Sequence, residues 1–493
     1  MTSDARRSWT LVAGPRYHAP DLGAVEGVVA GPAAATRVRA TYYDTADLRI
    51  LRWGGELRLE AGHGWFVSLG TGERGALHVE RERRFAASPT VPAGALDLLT
   101  GFTRGAACKP VLHTRTDRHD VGLASAEGAL IGRLRDDLVT VMEGRRIAAR
   151  FREIVATGVG VNGEGTAMGA VVAALCDSGA VPAHLAPTAV RAIGAPANAP
   201  PDVAAPRVSR HDSAAVAVRA AIATSVSRLI LHDAAVRDGS DPEGVHQARV
   251  ATRRLRSDLR TFLPLLDPVW TEHLRDQLRE IAALLGAVRD ADVLLGRLRS
   301  AAGSLSIAEQ AAAGSALEAL QRDRDRARID LLAWMRSRRY TALLDDLVAA
   351  ANDPHTSSEA SGDAAVLLPP LAAGPWRKLR RLVRQLGPDP EDAELHQVRI
   401  RAKRARYAAE AVTPVARHAV AGFADAVAGV QEVLGEHHDA VVAEAWLRRA
   451  GDTTDPMVLG ELVGLQRAAA AAARAAWPRA WKAAQRAHPR SWT

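Results

Sequence analysis

The feature that most constrains the fold is an internal duplication in the C-terminal part of the 493-residue chain. Residues 245–262 read VHQARVATRRLRSDLRTF and residues 395–412 read LHQVRIRAKRARYAAEAV, with an offset of 150 positions between the copies. In each copy a histidine is followed by cationic residues at helical spacing. The duplication predicts two equivalent helical halves, each with a basic face.

The two copies predict helices with a cationic stripe beside an apolar arc. In the first copy the basic residues recur at i, i+3, i+7, i+10 and i+14, which confines them to about a quarter of the helix circumference. Cations held this close repel one another, so the stripes predict a polyanionic ligand, whereas the plain alternative is a solvated Arg-rich surface. The candidate binding residues are His246, Arg249, Arg253, Arg254, Arg256, Arg260, His396, Arg399, Lys403, Arg404 and Arg406.

Two further segments accompany the stripes. Residues 376–386 (WRKLRRLVRQL) predict a third basic helix, which adds four candidate binding residues. Those residues are Arg377, Arg380, Arg381 and Arg384. A second echo, at an offset of 149, relates residues 285–293 (LGAVRDADV) to residues 434–442 (LGEHHDAVV). Both read as helices in which Asp290 and Asp439 are placed to anchor arginines of the stripes.

The second echo also raises the possibility of a metal site at His437, His438 and Asp439. Adjacent side chains on a helix point about 100° apart, and the first copy has no histidine at the equivalent place, so we expect no bound metal.

Residues 210–486 resemble a CHAD domain, the conserved-histidine α-helical domain, through both histidine-led motifs and both Leu-Gly segments. The resemblance implies two four-helix bundles, at about 210–350 and 364–486, around a basic cavity that binds inorganic polyphosphate. The stripes contain almost no aromatic residues, whereas nucleic-acid readers usually stack bases on aromatic side chains. Nucleic acid is therefore an improbable partner.

The N-terminal region has a different pattern, with short alternating segments between glycines and polar turns. Strands are predicted at residues 37–43, 57–60, 64–69, 76–85 and 111–119, and helices near 92–100 and 165–178. Residues 40–60 (ATYYDTADLRILRWGGELRLE) resemble the CYTH family of triphosphate tunnel enzymes. The expected fold is thus a multidomain α+β chain, with a CYTH-like antiparallel β-barrel followed by the all-α domain.

The catalytic pattern of the CYTH family is largely absent. The family opens with a Glu-x-Glu-x-Lys strand, but residues 4–11 read DARRSWTL. Residues 151–157 (FREIVAT) retain only Glu153 of the alternating glutamates, and Ser68 stands where the family has a lysine. Arg58 and Arg115 remain as possible phosphate contacts. Because two-metal phosphoryl chemistry needs several carboxylates, we expect no catalytic residues and no cofactor, with Mg²⁺ or Mn²⁺ relevant only if the tunnel is active.

Composition completes the expectations. The two cysteines and the lack of a charged-then-apolar leader or long apolar run predict a cytoplasmic protein without membrane insertion, and the formal charge is +8. The polyphosphate ligand that the resemblance implies makes association with polyphosphate granules a further expectation. Residues 1–194 and 210–486 are the expected domains, joined by a Pro/Ala-rich linker at 195–209. The basic tail with Trp477 and Trp481 either contacts the polyanion or packs as a terminal helix. The sequence does not indicate an oligomeric state.

The sequence thus predicts non-catalytic binding of polyphosphate by the helical domain. The alternative is a metal-dependent hydrolase of triphosphate or short polyphosphate that acts in the CYTH-like tunnel.

Overall fold

A computed structural model describes residues 7–70, 79–159, 167–183, 186–450 and 455–489. The chain divides into two compact units, Met1–Asp202 and Val203–Thr493. The expected linker is divided between them: Ala197 is buried in the first unit and Val203 in the second. Where the linker begins and ends therefore stays a prediction.

The first unit is built on one antiparallel sheet of ten strands. The strands are β1 (Arg7–Ala13), β2 (Val29–Ala30), β3 (Ala34–Asp44), β4 (Gly55–Glu60), β5 (Gly64–Gly70), β6 (Val79–Phe85), β7 (Lys109–Ala124), β8 (Leu130–Glu143), β9 (Arg146–Gly158) and β10 (Val181–Pro182). Their order is β10-β1-β9-β8-β7-β3-β4-β5-β6, with β2 paired to β7. Among the described residues no pairing joins the two end strands, β10 and β6.

Five helices accompany the sheet. They are α1 (Arg49–Arg52), α2 (Ala93–Leu98), α3 (Thr100–Thr103), α4 (Ala167–Asp177) and α5 (Thr188–Ile193). Ala189 and Val190 of α5 are buried against Ala40, Tyr42 and Val141 of the sheet. This antiparallel sheet with flanking helices confirms the expected fold class and is compatible with a CYTH-like tunnel.

The predicted strands of the first unit are confirmed where the structure describes them, and each real strand is as long as predicted or longer. Residues 76–78 of one predicted strand and residues 4–6 of the expected first strand lie outside the described residues. The predicted helix near 92–100 is two short helices, α2 and α3, separated by Leu99. Strand β8 was not predicted, because Arg133, Asp136 and Asp137 interrupt its apolar alternation.

The second unit is helical. Its helices are α6 (Ala214–Asp238), α7 (Pro242–Thr261), α8 (Pro268–Ala302), α9 (Ile307–Met335), α10 (Arg338–Asn352), α11 (Ala364–Arg384), α12 (Asp392–Arg449) and α13 (Pro456–Ala487). Helix α12 contains a kink, since Ala416 has the non-helical backbone angles φ −117° and ψ 27° two residues after Pro414. The two halves of α12 correspond to α7 and α8 of the first repeat.

The apolar arcs predicted for the two copies form the core of this unit. All ten residues are at most 1% exposed. They are Ala248, Thr252, Leu255, Leu259 and Phe262 in α7, and Val398, Ala402, Ala405, Ala409 and Val412 in α12. Both helices start with a cap: the Asp241 side chain accepts from the Glu243 amide in α7, and Glu391 and Glu394 form a capping box in α12. Burial of the arcs fixes the direction in which the cationic stripes face.

The C-terminal basic segment packs as a terminal helix. Trp477 and Trp481 of α13 are 8% and 7% exposed, and Trp481 lies 5.3 Å from the fully buried Trp376 ring of α11. Arg474 donates to Asp389 at 2.8 Å and to Asp392 at 2.6 Å. The structure therefore shows the second of the two alternatives for the tail, a packed terminal helix. Arg490 lies outside the described residues.

Helix α6 is long and apolar enough to cross a membrane by length and composition, and it alone meets this test in the described part of the chain. Of its most apolar window, 56% is buried inside the protein. A core helix of a folded domain, which is also long, apolar and largely buried, meets the same test.

Candidate anion-binding cavity

A cavity of about 430 Å³ lies where the two repeats meet. Four helical segments line it: the N-terminal part of α7, the C-terminal half of α8 and both halves of α12. The lining comprises His246, Arg249, Val250, Arg253, Arg289, Asp290, Val293, Leu294, Arg297, His396, Arg399, Lys403, His438, Asp439 and Val442. Six of these side chains are arginine or lysine and two are aspartate, so the cavity has an excess of positive charge.

Two of the arginines have carboxylate partners at equivalent positions. Arg249 contacts Asp290 at 2.9 Å, and its counterpart Arg399 lies 3.8 Å from Asp439. These contacts confirm the predicted role of the two aspartates as anchors. The guanidinium groups pack against the glycines of the Leu-Gly segments: a Cβ on Gly286 would lie 4.0 Å from Arg249, and one on Gly435 would lie 3.8 Å from Arg399, both at ordinary contact distance.

Three other basic residues in the cavity have no carboxylate within 4.0 Å among the described residues. They are Arg253, Arg289 and Lys403. Arg253 lies 5.2 Å from the centre of the Tyr407 ring, and its Nε atom is buried without a hydrogen-bond partner. Burial, followed by Arg399, Arg253 and Arg249, lowers the pKa of Lys403 to about 7. Burial and the neighbouring cations therefore disfavour positive charge on Lys403 in this cavity.

The histidines at the heads of the stripes face the same cavity. His396 and His438 approach each other with their Nδ1 atoms 3.1 Å apart. Burial and then Arg399 lower the pKa of both, and that of His438 falls to about 4. Burial and Arg289 likewise lower the pKa of His246. Burial and the neighbouring arginines thus favour the neutral form of all three histidines.

His437 points elsewhere. Its Nε2 atom lies 3.1 Å from Asp392 at the start of α12, while His438 faces His396. The two adjacent histidines diverge, as expected from their helical spacing. In the ranges that the structure describes, no group of three or more His, Cys, Asp or Glu side chains is arranged to hold a metal ion.

The structure brings six of the fifteen predicted site residues into the cavity lining. They are His246, Arg249, Arg253, His396, Arg399 and Lys403. On α11, Arg377, Arg381 and Arg384 are exposed, and Arg380 lies 6.0 Å from the Trp376 ring. The remaining residues, Arg254, Arg256, Arg260, Arg404 and Arg406, also lie outside the lining.

Of these residues outside the lining, Arg254 is held by acidic side chains of the protein. Its Nε atom donates to Asp258, which is 1% exposed, at 3.1 Å, and it also contacts Glu410. Arg406 donates to the same Glu410 at 2.6 Å. The immediate neighbours Arg253 and Arg254 therefore face different surroundings, one free of acids and one bound to two.

The family model of the CHAD domain matches residues 220–448. The chain contains a CHAD domain. In sequence, the chain is similar to the uncharacterized proteins Rv2226 and MT2285 of Mycobacterium tuberculosis, strains H37Rv and CDC 1551. It is 29% identical to each over 449 residues, which cover 83% of this chain and 81% of the relative.

Among solved structures, the chain is similar to PptA from Streptomyces chartreusis, with 26% identity and a TM-score of 0.47, over 55% of this chain and 99% of that one. It is also similar to the CHAD domain from the plant Ricinus communis, with 24% identity and a TM-score of 0.46, over 57% and 95% of the two chains.

Sequence reasoning missed two basic residues of the CHAD cavity, Arg289 and Arg297. Arg289 occupies the place of His438 at the offset of 149, so comparison of the two echoes was the available signal. Arg297 lies two helical turns beyond Arg289 on the same face of α8, and it contacts Glu436 at 2.8 Å. Neither residue belongs to a histidine-led stripe.

In the first unit the candidate phosphate contact Arg58 is surrounded by acidic groups. Its guanidinium donates to Glu60 at 2.8 Å and to Glu82 at 2.7 Å, and it lies 3.6 Å from Glu56. It also donates to Ser68 at 3.0 Å, the residue that replaces the family's lysine. Arg58 is therefore neutralised from within the unit.

The other candidate residues of the sheet are Glu153 and Arg115. Glu153 is 8% exposed and accepts hydrogen bonds from Arg191 and, at 3.0 Å, from Thr188, both on α5. The Arg115 Nε atom is buried without a hydrogen-bond partner. The one glutamate kept from the family's alternating pattern is thus engaged by a helix of its own unit.

Proposed function

We propose that the CHAD domain binds inorganic polyphosphate in the cavity between its repeats, without breaking a bond. The observation that carries this proposal is the set of three basic residues, Arg253, Arg289 and Lys403, that face the cavity without acidic partners. A chain of phosphates would supply the missing anions at several points together. Arginine suits this role because its planar fork matches two phosphate oxygens.

The lining supports a polyanion without bases over a nucleic acid. It contains no phenylalanine, tyrosine or tryptophan, although single-stranded nucleic acids are usually bound through stacking on such rings. Affinity would then come from phosphate contacts alone and would depend strongly on salt.

Hydrolysis in the CYTH-like unit is the second candidate, and the ion pairs of that unit disfavour it. Mg²⁺ or Mn²⁺ would have to compete with Arg58 for Glu56, Glu60 and Glu82, which lie 3.6, 2.8 and 2.7 Å from its guanidinium. We propose that this unit does not turn over triphosphate.

The same proposal places the protein in the cytoplasm, in contact with polyphosphate granules. Cys108 and Cys176 are free thiols, which agrees with a reducing compartment.

The test is a titration of the full-length protein with long-chain polyphosphate, repeated with single-stranded DNA at equal phosphate concentration and equal salt. We expect polyphosphate to bind tightly and DNA to compete poorly. Phosphate release from tripolyphosphate is measured in parallel with Mg²⁺ or Mn²⁺. Equal binding of DNA would contradict the ligand assignment, and metal-dependent release abolished by Glu153→Ala would replace binding by hydrolysis.

A further inference from the structure

The duplication places two groups of side chains at equivalent positions of the CHAD domain, and their charges differ. In the first group Arg254 donates to Asp258 at 3.1 Å and contacts Glu410 from the other repeat. Arg406 donates to Glu410 at 2.6 Å. Two arginines therefore meet two carboxylates, and we call these four residues the neutral node.

The offset of 150 gives the equivalent of each member of the neutral node. Arg254 corresponds to Arg404, and Arg406 corresponds to Arg256. The two acids have no acidic counterparts, because Asp258 corresponds to Ala408 and Glu410 corresponds to Arg260. The second group thus has three arginines and no carboxylate. We call Arg256, Arg260 and Arg404 the basic node.

Arg256 and Arg260 lie one helical turn apart on α7, and Arg404 of α12 is close enough for its charge to act on Arg260. After burial, the neighbouring charges that lower the pKa of Arg260 are those of Arg275, Arg404 and Arg256. Arg260 and Arg404 are exposed, whereas the Arg256 Nε atom is buried without a hydrogen-bond partner. The residues of the basic node thus occupy the positions at which the other repeat has the ion pairs of the neutral node.

The acidic residues near the basic node have their own partners. Arg275 contacts Glu272, and Arg279 contacts Asp276 at 2.5 Å. In the part of the chain that the structure describes, Arg256, Arg260 and Arg404 have no carboxylate within 4.0 Å. The basic node is therefore a cluster of like charges with an unpartnered buried donor. A bound anion would supply the negative charge and the hydrogen-bond acceptors that Asp258 and Glu410 supply in the neutral node.

We propose that the basic node is a second phosphate-binding site, and that it takes the part of a long polyphosphate chain that extends beyond the cavity. This proposal rests on the proposed function of the cavity. The α7 residues of both sites lie on one face of that helix, where the basic stripe begins at His246 in the cavity and ends at Arg260. Fourteen residues at 1.5 Å each separate these ends by about 21 Å. Tripolyphosphate, with three phosphorus atoms, is too short to span from His246 to Arg260, whereas a long chain reaches both.

The variant Arg260→Glu tests the proposal, because it introduces at position 260 the acid that the other repeat has at Glu410. We expect it to raise the melting temperature in the absence of ligand, since Arg404 gains a partner. Affinity for long-chain polyphosphate should fall about tenfold, as expected for loss of a charge-assisted contact. Affinity for tripolyphosphate should change less than about twofold, because Arg260 does not line the cavity.

The matched control is Arg326→Glu, an exposed residue of α9 that undergoes the same change of charge. It should reduce the affinity for long chains by less than about twofold. Arg260→Ala serves as a second variant, which removes the cation without introducing an acid. It should weaken binding of long chains but not of tripolyphosphate.

The outcomes separate the two proposals. If the wild type binds neither ligand, polyphosphate binding itself is wrong and the second site falls with it. If the wild type binds both ligands but Arg260→Glu and Arg260→Ala leave the preference for long chains unchanged, only the second site is wrong. An equal loss for both chain lengths would also overturn it, because Arg260 would then act on the cavity.

Discussion

The interior of the first unit and the cavity of the CHAD domain both bring arginines and carboxylates together, but in different proportions. In the first, Arg58 lies within 3.6 Å of three glutamates, and Arg191 contacts Glu153. In the second, six basic side chains share two aspartates. In the first set each arginine is held by acids and the carboxylates outnumber the arginines, whereas the second set has an excess of cations.

The difference indicates what each arrangement does. Buried charges are tolerated when they are paired, so the arginines of the first set are held by their acids and have little capacity for a further anion. An excess of cations reduces stability through repulsion, and a bound anion relieves that repulsion. We therefore infer that the arginines of the first set are structural and that the cations of the cavity bind the ligand.

The largest expected effect comes from removing cavity cations that have no partner. Replacement of Arg253 and Lys403 by alanine should weaken polyphosphate binding about 100-fold or more, since each contact contributes about 1.5–3 kcal/mol. The free energy of unfolding without ligand should stay the same or rise, because repulsion is removed. Calorimetric titration and urea unfolding provide the two measurements.

The control for this pair has the same loss of charge outside the cavity. Arg377→Ala with Arg381→Ala removes two exposed cations of α11. Its effect on affinity should stay below about threefold in physiological salt. Equal losses in the two double variants would mean that net charge, and not the cavity, controls binding.

Removal of an arginine that is surrounded by acids should have the opposite effect on stability. Arg58→Met leaves Glu56, Glu60 and Glu82 without their cation, and we expect the unfolding free energy of the first unit to fall by about 3 kcal/mol at pH 8. Burial already raises the pKa of Glu56, and loss of Arg58 raises it further. The folded state then binds more protons than the unfolded one, so the loss should be smaller at pH 5.

Urea unfolding of the full-length protein at the two pH values, monitored by a signal from the first unit, measures this effect. Arg37→Met is the control, because Arg37 is 61% exposed and pairs with Asp117 at 2.6 Å on the sheet surface. It should cost less than about 1 kcal/mol. If Arg58→Met is no more costly than Arg37→Met, the acidic set does not depend on Arg58.

The smallest expected effect is the dependence of affinity on pH. Burial and the charges of Arg399, Arg253 and Arg249 lower the pKa of Lys403 to about 7, although Asp439 opposes this shift. A bound polyanion favours the protonated amine, so by linkage affinity rises as pH falls from 8 to 6. The expected rise is about tenfold or less, with His246 and His396 contributing in the same direction.

Lys403→Arg separates the lysine from the histidines. Arginine stays charged across this range, so the variant should bind more tightly than the wild type at pH 8 and show a shallower pH profile. His246→Gln with His396→Gln should remove the remaining slope. An unchanged profile in Lys403→Arg would show that Lys403 does not titrate in the cavity.

The sequence was most informative where a pattern was repeated. The apolar arcs predicted which side of α7 and α12 is buried, and burial of Ala248 and Val398 fixed the direction of His246 and His396. Periodicity along one helix cannot reveal which other helices complete a cavity. Arg289 was missed for this reason, since only tertiary packing brings α8 beside α7.

Neighbouring arginines of one stripe also differ in ways that spacing does not show. Arg253 and Arg254 are adjacent in sequence, yet Arg254 binds Asp258 and Glu410 while Arg253 faces the cavity. The position of Glu410 depends on the packing of the second repeat against the first. In the first unit, the acids around Arg58 come from β4 and β6, so pairing of strands determined the partners.

The most direct test of the central claim is the salt dependence of polyphosphate affinity in the wild type and in the double variant Arg253→Ala, Lys403→Ala. Phosphates contacted by cations release counterions, and each contact contributes about 0.7–0.9 to the slope of log affinity against log salt. We predict a steep slope for the wild type and a slope shallower by about 1.5 to 2 for the variant. Identical slopes in the two proteins would contradict the claim that polyphosphate occupies this cavity.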